Sequence, residues 1–68
     1  MFIAMYDEED NIITTFESRK ECAEYFGTTI NCINSFFSRV HKGIRNNKKL
    51  NKVDKKWYKL YQYQKEEL

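Results

Sequence analysis

Residues 19–38, RKECAEYFGTTINCINSFFS, constrain the fold more than any other stretch of the chain. Ala23 and Gly27 lie four residues apart, and Ile33 follows six residues after the glycine. A small residue lets two helices approach, and glycine takes a left-handed turn without a Cβ penalty. The spacing therefore predicts two helices crossing through a short turn, the helix-turn-helix arrangement. Ser18 opens the first helix. Its hydroxyl is placed to accept from the Glu21 amide, and the Glu21 carboxylate to reach back to the Ser18 amide. Cys22, Ala23 and Phe26 recur on one side at helical spacing, and Gly27 ends the helix. The second helix starts near Thr28 or Thr29, either of which can cap it. Ile30, Ile33, Phe37 and Val40 form its expected buried stripe, with Phe36 at the edge. Thr28, Asn31, Cys32, Ser35, Ser38, Arg39 and Lys42 fall on the opposite side, and Gly43 is the natural stop.

The flanking segments supply strands. Residues 2–6, FIAMY, and 12–16, IITTF, are apolar and rich in β-formers around a polar break, which predicts a β-hairpin. The break has no Asn-Gly or Asp-Gly pair, so a longer connection through residues 8–11 is expected. Residues 44–56, IRNNKKLNKVDKK, show weak periodicity and predict a mobile loop. Residues 57–63 alternate, with Trp57, Lys59, Tyr61 and Tyr63 on one side and Tyr58, Leu60 and Gln62 on the other. They predict a third strand pairing with the hairpin, a helix being the alternative. The expected fold is α+β in the order ββααβ, a single domain over residues 1–63 with a frayed tail at 64–68.

A chain of 68 residues is near the lower limit for a single core, and its 11 aromatic residues supply large buried areas. No apolar run approaches the roughly 18 residues that span a bilayer, and the N-terminus lacks a basic leader region. A soluble, cytoplasmic protein with no membrane association is expected. Cys22 and Cys32 fall on opposite sides of their helices, so two reduced thiols are expected rather than a disulfide. With one histidine they fall short of a four-ligand zinc site. The acids at positions 7–10 lack the spacing of a calcium loop, and no phosphate-cradling glycine loop is present. His41 suits the end of a helix dipole. No enzyme activity, catalytic residue, metal or cofactor is expected.

The net charge of +2 conceals a segregation. Residues 1–27 carry two basic and seven acidic side chains, whereas residues 28–68 carry ten basic and three acidic ones. Residues 39–59 alone hold nine basic residues against one acid, Asp54. Such asymmetry makes a directional field that attracts a polyanion. The outer side of the second helix is short and neutral at Asn31, Ser35 and Ser38, which suits close approach to base edges. A merely solvated side would more often carry Glu and Lys. The expected DNA-binding set is Thr28, Thr29, Asn31, Ser35, Ser38, Arg39, Lys42, Arg45, Lys48, Lys49 and Lys52. Asn31, Ser35 and Arg39 would lie near bases in the major groove, and Lys42, Arg45, Lys48, Lys49 and Lys52 would hold the phosphate backbone.

Met5-Tyr6-Asp7, Phe16-Glu17-Ser18, Glu21-Cys22-Ala23, Phe26-Gly27, and Thr29 with Ile33 form a pattern of their own. Through them, residues 2–43 resemble the nuclease-associated modular DNA-binding domains in the tails of phage homing endonucleases. They also resemble small stand-alone phage helix-turn-helix proteins. The resemblance implies a hairpin followed by a helix-turn-helix whose helices contact double-stranded DNA, and a phage origin. The hairpin connection departs from the family in having no glycine, and residues 57–63 differ from its usual short closing strand.

Two other functions compete. A protein-interaction module would dock a phage or host partner on Trp57, Tyr58, Tyr61 and Tyr63, since Trp and Tyr anchor interfaces. At least two of these are instead expected to cover the hairpin as core. Binding of RNA or single strands through exposed aromatics and lysines is the third. A homodimer on paired half-sites, or a tethered protein partner, fits the small surface that one domain offers.

Overall fold

The computed structural model describes residues 2–63. The predicted tail at 64–68 lies outside them. β1 (Phe2–Tyr6) and β2 (Ile12–Phe16) form the expected antiparallel hairpin. Its connection turns on aspartates where glycine would be usual. The Asp7 Oδ1 accepts from the Glu9 and Asn11 amides, both at 2.9 Å, and Asp10 takes the left-handed position at φ 67°. Asp tolerates that region because its short polar side chain bonds locally. These bonds, that from the Asn11 amide first, hold the Asp7 carboxyl below its ordinary pKa. A bulge between Met5 and Tyr6 lets Ile12 pair with Tyr6.

The helices are α1 (Arg19–Phe26) and α2 (Ile30–His41), separated by residues 27–29. The Ser18 Oγ accepts from the Glu21 amide as expected. The Glu21 carboxylate, however, accepts from the Glu17 amide at 3.0 Å rather than from Ser18. Thr29, not Thr28, caps α2. Both helices end in the paired hydrogen bonds of a Schellman motif. The Gly27 and Thr28 amides donate to Glu24 and Ala23 carbonyls, and the Gly43 and Ile44 amides to Val40 and Arg39 carbonyls. Both glycines have positive φ, 67° and 76°. Ala23 is buried between the helices, and Arg19 ties them by donating from Nη1 to Asn34 Oδ1 at 2.7 Å. No helix among the described residues is long and apolar enough to cross a membrane.

The sheet has four strands, not three. Beyond α2 come β3 (Lys48–Leu50) and β4 (Trp57–Tyr63), and the antiparallel order is β2-β1-β4-β3. The chain is therefore ββααββ, and the segment expected to be a mobile loop holds a strand and a fixed turn. β3 escapes a sequence pattern because three residues cannot establish an alternation. It exists by pairing with β4, Lys49 opposite Tyr58 and Leu50 opposite Trp57. β4 has the predicted alternation. Leu60 is buried and Tyr58 packs against the core.

The core lies between the sheet and the helix pair, built from Ile3, Met5, Phe16, Cys22, Ala23, Phe26, Ile33, Phe36, Phe37 and Leu60. Two positions of α2 differ from the expected stripe. Ile30 is 45% exposed, and Phe36 is buried at 2%. The helix is thus rotated toward Phe36, which β3 covers, and β3 had no place in the expected sheet. On the outer side of the sheet, Tyr63 stacks on Phe2 and Tyr61 meets Tyr6 edge-on, but both stay exposed. Of the four aromatics of β4 only Tyr58 packs against the core, where at least two were expected. Trp57 remains 49% exposed there.

The two glycines predict different sensitivities. A Cβ at Gly27 would lie 3.1 Å from Val53 Cγ2, whereas one at Gly43 meets nothing within 4 Å. Gly43→Ala should cost about 1 kcal/mol, the left-handed penalty alone. Gly27→Ala should cost about 1 kcal/mol more, because Val53 must shift. Urea unfolding of the two variants checks this, and equal losses would contradict it.

Candidate nucleic-acid interface

α2 presents Asn31, Ser35 and Arg39 at four-residue spacing, and all three are exposed. They share a shallow groove of about 310 Å³ with Cys32, Phe36, Arg45 and Lys49. One wall is the helix, and the other comes from the chain leaving it. Strand alternation explains why Lys49 belongs to that wall. Its register partner Tyr58 points to the core side of the sheet, so Lys49 does too. Both cations lie over the Phe36 ring, the Arg45 guanidinium 4.5 Å and the Lys49 ammonium 5.7 Å from its centroid. Such placement is favourable because the ring face carries negative quadrupole density.

Arg45 is held further by donating from Nη2 to the Lys48 carbonyl at 2.7 Å and from Nε to the Asn46 carbonyl at 3.2 Å. Lys49 has a lowered pKa, first from partial burial and then from the neighbouring Arg45 charge. Two cations kept this close without a carboxylate form a site that gains by receiving an anion. The described residues hold one ion pair, Lys59 with Asp10 at 2.7 Å, which links β4 to the acidic hairpin connection.

The other expected residues are distributed unevenly around this groove. Ser38 and Lys42 line an adjoining depression that shares Ser35 and Arg39 with it. Thr28 and Thr29 stand at its far end, before α2. Lys52 follows β3 and is close enough to lower the Lys49 pKa by its charge. Lys48 is not brought in. It pairs with Lys59 and points to the outer side of the sheet, where it lines a second hollow with Glu8 and Trp57 that meets the groove only through Arg45. A larger cleft of about 650 Å³ lies on the opposite flank of α2, floored by Phe37, Val40 and Leu60. Of the expected residues it holds only Ser38.

Cys32 and Phe36 are groove residues that sequence reasoning left unassigned. Their four-residue spacing, in line with each other along α2, was the available signal. Cys32 is exposed and free, and its pKa is lowered to about 7 by the Thr28 hydroxyl first, then by the hydroxyl and backbone of Thr29. Cys22 is the reverse case, pushed up to about 12 by burial.

No family model, no curated protein and no solved structure matches this chain.

The thiols offer a check on the groove. Because the thiolate is the reactive form, alkylation of Cys32 should rise with pH and reach half its maximal rate near pH 7. Cys22 should stay unmodified while the protein is folded. Thr28→Val should move the Cys32 midpoint upward. Mass spectrometry after timed labelling reads all three, and equal labelling of both cysteines would contradict the placement.

Proposed function

We propose that this chain is a small DNA-binding protein that lays α2 in the major groove of double-stranded DNA. The observation that carries the reading is the groove itself. Short polar side chains of α2, Asn31 and Ser35, lie beside Arg39, Arg45 and Lys49, with no carboxylate in its lining. A helix fits the major groove, about 12 Å wide, and short amides and hydroxyls can reach base edges there. Arg45, Lys49, Lys42 and Lys52 would sit on phosphates, which set register, while Asn31, Ser35 and Arg39 read bases. The acidic surplus of the hairpin favours one direction of approach. The resemblance of residues 2–43 to the DNA-binding tail modules of phage homing endonucleases points the same way, and with it to a phage origin.

A second reading has its own observation. Trp57, Tyr61 and Tyr63 are exposed at 49%, 39% and 36% on the strand β4, and none of them lines the groove of Asn31, Ser35 and Arg39. A protein partner docking there would leave the α2 groove free. Its binding should shift Trp57 emission to the blue and leave the amides of Thr28–Lys42 unperturbed in a chemical-shift titration.

Duplex binding measured across a salt series tests the first reading. If three to five phosphates are neutralised, log affinity should fall against log salt with a slope of about −3 to −5. Lys42→Gln should make the slope shallower by about 1. Arg39→Ala should cost about 1–3 kcal/mol and relax sequence preference. Absence of binding at low salt, or tighter binding to single strands in competition, would overturn the reading.

A further inference from the structure

We propose that the turn joining β3 to β4 is a second polyanion-binding element, in which Lys52, Lys55 and Lys56 grip the duplex backbone beside the start of α2. The inference rests on α2 being the helix that enters the groove, and adds to it a contact surface at the helix's other end.

The turn is fixed to the helix pair rather than free. Asn51 is 1% exposed, and its Nδ2 donates to the Tyr25 carbonyl at 3.3 Å. Its Oδ1 accepts from the Val53 amide at 2.8 Å and the Asp54 amide at 3.3 Å. The Lys52 amide donates to the Phe26 carbonyl at 3.1 Å, and the Lys55 amide to the Asn51 carbonyl at 2.7 Å. Val53 lies against Gly27. The bonds to Asn51 from Val53, Asp54 and Lys55 shape the turn itself. The three anchors that leave it reach Tyr25, Phe26 and Gly27, at the end of α1 and in the turn that leads to Thr29, the cap of α2. The lysines of the turn are therefore carried at the N-terminal end of α2.

Their chemistry suits phosphate. All three lysines are exposed, and none forms an ion pair among the described residues. The single acid of the turn, Asp54, accepts from the Tyr58 hydroxyl and from the Lys56 amide. It lies close enough to the Lys56 charge to be lowered in pKa by it, which leaves Lys52 and Lys55 the less compensated cations. Lys55 stands at φ 62°, the left-handed region that glycine or asparagine occupies at lower cost. The 2.7 Å bond from the Lys55 amide to the Asn51 carbonyl holds this backbone, so the left-handed cost is met by the turn and the ammonium is left exposed.

Geometry makes the two ends of α2 complementary. Its 12 residues span about 18 Å, longer than the roughly 12 Å width of the major groove. A helix of that length meets phosphates of both flanking strands. Arg39 and Lys42 stand at one end, and Lys52, Lys55 and Lys56 at the other.

Two variants test this. Lys55→Gly removes a charge and relieves the left-handed backbone. It should raise Tm by roughly 4 °C while making the salt slope of duplex binding shallower by about 0.9. A merely structural residue would not move stability and binding in opposite directions. The double variant K55Q/K56Q, which leaves Lys52 in place, should lower the magnitude of the slope by about 1.8. Unchanged slopes in both variants, with wild-type protein still binding duplex steeply, would overturn this proposal and leave the α2 reading standing. Failure of the wild-type protein to bind duplex would overturn both.

Discussion

The last four carbonyls of an α-helix have no partner inside it, and in a short helix they are half of its backbone. α1 has eight residues, and the fold depends on how its final carbonyls are met. Ala23 and Glu24 accept from Thr28 and Gly27, the left-handed glycine folding the chain back on the helix. Tyr25 and Phe26 accept from the Asn51 side chain and the Lys52 amide, which come from the far end of β3. The helix is thus completed by a segment 26 residues further along the chain. That long-range closure joins the helix pair to the β3–β4 edge of the sheet. It also sets the position of the basic chain relative to α2.

From this closure the charge arrangement follows. With the β3 edge held against the helices, Lys49 and Arg45 are brought over Phe36 and beside the polar line of α2. The acidic hairpin connection is held at the other side of the sheet by the Asp10–Lys59 pair. A chain of small net charge acquires one side fit for a polyanion and another bearing aromatic rings and acids. Binding a polyanion on the first side would leave the second available, so the two proposed surfaces need not compete.

Much of this arrangement was legible in residues close together in sequence. Apolar, β-forming runs at residues 2–6 and 12–16 and the alternation of residues 57–63 specified three strands. Ser18, Gly27, Thr29 and Gly43 marked the helix limits because capping chemistry is local. β3 was not legible: Lys48, Lys49 and Leu50 carry no pattern, and their pairing partner lies on another strand. The same gap misplaced Phe36, whose cover is β3, and Ile30, which the rotation of α2 leaves exposed. Lys48 and Lys49 look equivalent in a basic run, yet a strand sends neighbours to opposite sides. Asp10 in a left-handed turn and Asn51 as a buried tie were missed for a related reason. Aspartate and asparagine are usually surface residues, and only the surrounding backbone shows what they hold.

Amide chemical-shift mapping of the protein titrated with a random-sequence duplex tests the central claim most directly. The perturbed amides should cluster on Thr28–Lys42 along α2 and continue through Arg45, Lys49 and Lys52 to Lys56, leaving Tyr61 and Tyr63 unmoved. Perturbations confined to Trp57–Tyr63 would contradict it, because they would place the nucleic acid on the aromatic side of the sheet.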